Sequence, residues 1–351
     1  MNNETQSIPL IRIDCYLNLG GVHVQIDPYT ELVHLRDENI KNIYHDHFKL
    51  NELHDTLIHR VADIAINQVS SQHGPPPSPF TFFVMGSAGR MEQSVWSDQD
   101  HGIIYLDSSD EAKSYFLTLG KEISKGLYQA GYRYCDGGVM ASNPFWCKSL
   151  NEWKQQLSKW MLESTWESIR YLLIFLDGRS IYGDVAYVEM LKEHIYQNMN
   201  QHHLLMKSLS NTLHLKKGIN VLGQLLAETH GAHAGKLNIK EIGLFPYVNA
   251  IRLLSMKEKL YETSSLLRLE KIPDSYFPAS DKAFFKKQFL KLLTYRLLFS
   301  DHNDYDSGHY LAVSRLTKEQ IREVKEIIKN GAVLFHNMKR LIEKDDSDEN
   351  E

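Results

Sequence analysis

Apolar residues recur at mostly helical spacings through "LRDENIKNIYHDHFKLNELHDTLIHRVADIAINQV", where Ile40, Ile43, Leu50, Leu53, Leu57, Ile58, Val61, Ile64 and Ile66 predict a helical N-terminal segment. The segment is punctuated by "SSQHGPPPSP" (Ser70–Pro79), whose Gly74 and four prolines forbid both helix continuation and ladder pairing, so a boundary falls near Gly74. Beyond it the period changes. "FTFFVM" (Phe80–Met85) and "GIIYL" (Gly102–Leu106) are β-branched and aromatic runs of strand length, whereas "DEAKSYFLTLGKEISKGLYQAG" (Asp110–Gly131) has helical spacing and stops at a glycine. "YRYCDGGVMA" (Tyr132–Ala141) can supply a third strand, and the aromatic-rich stretch after it reads as helices ending near Gly183–Asp184. From Ala186 onward "LLMKSLSNTLHLKKGINVLGQLLAET", "GLFPYVNAIRLLSMKEKLY", "KAFFKKQFLKLLTYRLLFS" and "TKEQIREVKEIIKNGAVLFHNMKRLIEK" are amphipathic, with breaks at Gly231, Gly235, Pro273 and Pro278. The pattern predicts an α+β protein in three parts: a mainly helical segment over 1–73, a small mixed sheet with helices over 74–186, and an all-helical part over 187–351. The closing "DDSDENE" reads as a solvated tail.

Composition narrows the function classes. Hydrophobic residues make up 42% and charged residues 24% of the 351, and acids exceed bases by only five (44 against 39), so no polybasic signature for a long nucleic acid is present. Cys15, Cys135 and Cys147 form an odd set without a C-x-x-C pair, which argues against a disulfide framework and a thiolate zinc site and fits a reducing cytoplasm. No run of about 18 apolar residues occurs, and "MNNETQSIPLIRIDC" lacks the basic-then-apolar order of a signal peptide, so a cytoplasmic location away from membranes is expected.

The chemistry concentrates in "FFVMGSAGRMEQSVWSDQDHGIIYL" (Phe82–Leu106). A strand ending at Met85 would deliver Gly86 and Ser87 to a turn where glycine permits close backbone approach and the serine hydroxyl can meet a phosphate. Asp98 and Asp100 stand at i and i+2, so on a strand both project to one face and can share hard divalent cations, Mg²⁺ or Mn²⁺. A cation there would bridge the phosphates of a nucleoside triphosphate and promote loss of pyrophosphate, which is nucleotidyl transfer. Gly-Ser and D-x-D are each common alone. Their combination, eleven residues apart between two strands, fits a nucleotidyltransferase hairpin. Arg90 is either a second phosphate ligand or a partner for Glu92 that shapes the turn.

The string "GSAGRMEQSVWSDQDHGIIY" resembles the signal-transduction nucleotidyltransferases of bacteria, which are related to the nitrogen-regulatory protein uridylyltransferases and the glutamine synthetase adenylyltransferases. Gly86, Ser87, Gly89, Arg90, Glu92, Gln93, Ser97, Asp98, Gln99, Asp100 and Gly102 match that family's pattern. "CDGGVMASNPFW" (Cys135–Trp146), "FLDGRSIYGD" (Phe175–Asp184), and "LNIKEIGLFPYVNAIRLLSM" with "TSSLLRLEKI" carry the likeness onward, from about Leu35 to Ile342. The resemblance implies a polymerase-beta-type catalytic core. It also implies nucleotide binding by Gly86, Ser87, Gly89 and Arg90, metal binding by Asp98 and Asp100, and an acceptor site in the helical part. Longer relatives carry a CBS or cyclic-nucleotide module, for which the seventy residues before the core leave no room. The third carboxylate usual in such enzymes has Asp136 as its candidate, which can equally be a turn acid. Asp177 is the runner-up, read instead as capping or pairing with Arg179.

Other features read as structure. "YHDHF" (Tyr44–Phe48) lacks the further histidines of a metal-dependent phosphohydrolase and reads as surface. "DHNDYDSG" (Asp301–Gly308) puts Tyr305 where a calcium loop needs an oxygen donor and lacks the closing glutamate, so it reads as a polar loop. His230 and His233 read as a mobile loop, and Trp146, Trp153, Trp160 and Trp166, spaced near seven, as packing. The sequence thus points to a metal-dependent transferase moving a nucleoside monophosphate from ATP or UTP to a hydroxyl of an unknown acceptor, a regulatory protein among the options. The alternative is a nucleotide-binding module that signals through its helical part without turnover. The long amphipathic C-terminal helices are compatible with a homo-oligomer.

Overall fold

The computed structural model describes residues 16–19, 22–25 and 27–349. Cys15 and the leader reading of the first fifteen residues lie outside this range. A short hairpin comes first, β1 (Tyr16–Leu19) and β2 (Val22–Gln25), which the helical reading of the segment did not anticipate. Then follow α1 (Pro28–Ile43) and α2 (His47–His73). Each starts at an aspartate whose side chain accepts from the first turn, Asp27 from the Tyr29 amide and Asp46 from the Phe48 and Lys49 amides. Gly74, at φ +82, ends α2 before the prolines begin.

The predicted strand, turn, strand, helix order is present as β3 (Phe80–Val84), a one-turn α3 (Gly86–Gly89), β4 (His101–Tyr105) and α4 (Asp110–Gln129). The third strand is not Tyr132–Ala141. That stretch carries two glycines and folds as turns, held beside the sheet by a bridge between Arg133 and Asp98 and by the His101 amide, which donates to the Val139 carbonyl at 3.0 Å. Its place is taken by β5 (Cys147–Ser149), which leads into α5 (Leu150–Glu163) through a capping box of Ser149 and Glu152. α6 (Trp166–Leu176) follows, and then β6 (Arg179–Gly183), a strand where the sequence reading had helix running to Gly183. The sheet order is β5-β4-β3-β6, with β5 parallel to β4 and both β4 and β6 antiparallel to the central β3.

The all-helical expectation for the remainder holds in the main: α7 (Ala186–Asn198), α8 (Leu204–Thr212), α9 (Phe245–Lys257), α10 (Ser265–Lys271), α11 (Ala279–Phe299) and α12 (Lys318–Glu349). It fails in three places. The chain after Thr212 leaves the helix for an irregular loop to Gly235, where its glycines at positive φ interrupt the amphipathic pattern. A two-stranded ribbon, β7 (Lys236–Asn238) and β8 (Tyr310–Ala312), ties that loop to the C-terminal part. α12 also runs on through "DDSDE" to Glu349, so most of the expected tail is helix.

Two large apolar cores result, beside a small cluster of Leu50, Val95 and Leu297. One side of the sheet buries Phe82, Val84, Ile103 and Tyr105 against Leu57, Val61 and Ala65 of α2 and Phe116, Leu119 and Ile123 of α4. The other side buries Phe83 and Ile104 against Trp146, Trp153, Trp160 and Phe175, and this core continues without a break into α9, α11 and α12. The three buried tryptophans touch one another as expected, but Trp166, at the start of α6, is exposed. This shared core joins the helical part to the sheet. No helix among the described residues is long and apolar enough to cross a membrane.

Candidate active site

The strand register sets the geometry. Val84, the last residue of β3, pairs with His101 at the start of β4 on one side and with Arg179 at the start of β6 on the other. Asp100 and Asp177 therefore flank the chain just as it leaves β3 and turns through Gly86–Gly89. The Met85 amide donates to the Asp100 carbonyl at 2.7 Å, carrying the ladder one step past the strand. Gly86 has φ +55, and a Cβ on it would overlap the Asp100 carboxylate; a Cβ on Gly89 would overlap the Asp177 carbonyl. The two glycines let the turn settle between the acids.

Asp98 and Asp100 precede β4 and are not inside a strand, yet the alternation holds. Gln99 and His101 point inward, where the Gln99 amide donates to the Ser124 and Tyr132 carbonyls at 3.1 and 3.0 Å. His101 Nδ1 accepts from the Ala141 amide at 3.1 Å, which leaves its Nε2–H for Gln99 Oε1 at 3.0 Å. Burial pulls the His101 pKa down to about 3, so this anchor stays neutral. Asp98 and Asp100 consequently face outward together, each half-buried, with Cys135 beside them. Oxygens of the two acids and the Cys135 sulfur all lie within 4.8 Å of one another. Burial first, and the Asp98 charge second, push the Asp100 carboxyl up to about 7. The Cys135 thiol is pushed up to about 12, by burial and then by Asp100, so the donors on offer are two carboxylates and a protonated thiol.

Residues of the C-terminal part complete the site. Tyr305 donates its hydroxyl to Asp98 Oδ2 at 2.8 Å. Lys240 Nζ lies 3.3 Å from the same Tyr305 oxygen and 3.2 Å from His309 Nε2, and its charge is attracted to Asp98 and Asp100. Burial lowers the Lys240 pKa and, together with the Lys240 charge, that of His309. "DHNDYDSG" is thus more than a polar loop, because it brings a side chain onto an acid two hundred residues earlier. Lys240 and Tyr305 were not singled out as site residues from the sequence. The one signal for Lys240 was its place in the "LNIKEIG" stretch.

The structure does not bring Asp136 to this cluster. Its side chain is 80% exposed and pairs with Arg133, which also holds Asp306 at 2.8 Å. Cys135, one residue earlier, points in instead. Arg90 does shape the turn through Glu92, at 2.8 Å, and its other arm holds Asp177 at 2.6 Å. Asp177 pairs with Arg90, Arg252 and Arg268 and not with Arg179, which instead holds Asp55 at 2.7 Å. The Asp177 side chain is fully buried. Burial alone would raise its pKa, but the three arginines outweigh it and hold the carboxyl far below the usual range. Ser265 donates to Glu92, so α10 is tied to the same turn. Ser87, by contrast, is half-buried, and its hydroxyl has no partner among the described residues.

Elsewhere the surface reading of "YHDHF" holds for His45 and Phe48, which are exposed. His47 is buried, with its carbonyl taking a hydrogen bond from Asn51. His233 stacks on Tyr310, with ring centres 3.8 Å apart, and among the described residues no second cluster of metal-binding type forms. A surface cleft of about 420 Å³, lined by Lys154, Glu189, Glu193, His194 and Tyr261, lies on α5 and α7 and shares no residue with the acidic cluster.

Residues 35–167 match a family described as "Putative nucleotidyltransferase DUF294", and residues 202–340 match its companion, described as "Putative nucleotidyltransferase substrate binding domain". No curated protein matches the chain.

Proposed function

The chain belongs to the nucleotidyltransferase family whose two parts it matches in order, and on that premise we propose that it moves a nucleoside monophosphate from ATP or UTP to an acceptor hydroxyl and releases pyrophosphate. One observation supports this above the rest. Asp98 and Asp100 converge beside a glycine turn, with a lysine from the opposite part of the chain facing them.

The donor set fits a hard divalent cation, Mg²⁺ or Mn²⁺, since two carboxylates of like charge stand together with too little positive charge nearby. Held by Asp98 and Asp100, such an ion would offset the charge that develops on the phosphates during transfer. The chain's own groups do the rest. Gly86 and Ser87 give the triphosphate a close backbone approach and a free hydroxyl. Lys240 faces its negative charge. Asp98 Oδ2, which already takes a hydrogen bond from a hydroxyl, is placed to receive the proton of the attacking one. Arg90 supports the turn through Glu92 and Asp177, its charge being balanced within the protein. The helical part over 187–351 holds the acceptor, for which a regulatory protein is the class we favour.

The test is calorimetric titration of each nucleoside triphosphate, with Mg²⁺ or Mn²⁺, into the wild type and Asp98→Asn/Asp100→Asn, followed by a pyrophosphate-release assay in cell extract. Metal-dependent binding that the double variant loses, together with release, is the expected result. A second reading rests on the absence of a third carboxylate beside Asp98 and Asp100 among the described residues. In that reading the protein binds nucleotide and signals without turnover, and tight binding without release would favour it.

A further inference from the structure

A hydroxyl already occupies the position an acceptor would need. Tyr305 Oη lies 2.8 Å from Asp98 Oδ2, within the 2.6–3.2 Å reach that a proton transfer requires. Lys240 Nζ, 3.3 Å from the same oxygen, sets a positive charge against the negative charge that builds there as the proton leaves.

The hydroxyl is presented by a fixed loop. Within Asp301–His309, the Ser307 amide donates to Asp304 Oδ1 at 2.7 Å and the Ser307 hydroxyl to the Asp301 carbonyl at 3.1 Å. From outside, Trp96 Nε1 holds the His302 carbonyl at 2.7 Å, Arg296 the Gly308 carbonyl at 3.0 Å, and Arg133 the Asp306 carboxylate at 2.8 Å. Trp96 and Arg133 belong to the catalytic part, so the loop is clamped by the very elements that carry Asp98. Positioning of this kind removes most of the entropy cost of bringing two reactants together.

We infer that Tyr305 is a self-modification site: the chain transfers a nucleoside monophosphate from a nucleoside triphosphate onto its own phenol. This inference rests on the transferase reading above. In the step, the bond from Tyr305 Oη to the α-phosphorus forms as the bond from that phosphorus to the bridging oxygen breaks. Pyrophosphate leaves with the bonding pair, and the phenol proton passes to Asp98 Oδ2. The product is an aryl phosphodiester. Because Tyr305 is the one phenol bonded to Asp98 among the described residues, the reaction stops at one nucleotide per chain.

The experiment incubates purified full-length protein with each of the four nucleoside triphosphates and Mg²⁺ or Mn²⁺, and reads intact mass, peptide mapping and nucleotide binding on the same samples. The expected result is a single added nucleoside monophosphate, mapped to Tyr305, that is absent from Tyr305→Phe and Asp98→Asn, with thermal melts confirming that both variants fold. Metal-dependent, Asp98-dependent binding with unchanged mass, or with an adduct that survives in folded Tyr305→Phe, overturns the self-modification and leaves the transferase reading standing. Failure to bind any triphosphate overturns both.

Discussion

Asp100 and Asp177 sit on either side of one strand end, and their neighbours leave them in opposite electrical circumstances. Asp177 has three guanidinium groups within hydrogen-bonding distance, so its negative charge is held at any ordinary pH. Asp100 has a second acid for a neighbour, and the charges of Lys240 and Arg90 offset its burial and that repulsion only in part, so its charge is disfavoured until pH about 7. The difference separates a staple from a site. A carboxylate saturated with arginine has nothing left to bind, whereas two that share too little positive charge gain by taking up a cation.

The strongest way to break this comparison is Asp177→Asn. It leaves three buried arginines facing a neutral amide, and the expected cost is about 3–5 kcal/mol of stability, read as a fall in the urea midpoint. Loss of under about 1 kcal/mol would mean that the cluster is not a staple. Next is Asp98→Asn, which should lower pyrophosphate release by about 10²–10⁴-fold without lowering the melting temperature of the metal-free protein. Gly86→Ala tests the turn between the two acids. Its Cβ would overlap Asp100 at a φ of +55, so a loss of about 1–3 kcal/mol is expected together with weaker metal binding. The smallest effect sharpens the contrast through its sign. For Asp177, whose carboxyl is lowered from 3.8, the contribution to stability is present above that value and fades as pH falls below it. For Asp100, raised from 3.8 to about 7, the contribution is present below 3.8 and fades as pH rises through 7. Asp100→Asn should therefore stabilise the metal-free protein at pH 8 and change little at pH 3. Melting curves at the two pH values, with and without Mg²⁺, decide it.

What the sequence made legible follows the same division. β3, β4, α4 and the paired acids could be read because local period and spacing carry them. β6 was missed because "RSIYG" is short and follows a long helical run, and its strand character comes from pairing with β3, far earlier in the chain. The arginines around Asp177 come from positions 90, 252 and 268, and no local pattern joins them. Asp136 drew attention because it is an acid in a family segment. Only the fold shows that its neighbour Cys135 turns inward while Asp136 pairs with Arg133. Tyr305 was judged against a calcium loop and set aside, since its partner Asp98 is contributed by the other end of the chain.

The clamp on the Asp301–His309 loop has an optical consequence. Trp96 donates its indole N–H to the His302 carbonyl while the Arg36 guanidinium lies 3.9 Å above its ring, so this chromophore senses both the loop and the N-terminal helix that closes on it. The other buried indoles, Trp146, Trp153 and Trp160, form a sealed cluster in the second core and give a steady background. The difference in emission between the wild type and Trp96→Phe isolates the one tryptophan at the seam. Its colour and quenching then follow, in real time and without a label, whether the loop carrying Tyr305 stays shut or swings away when nucleotide arrives.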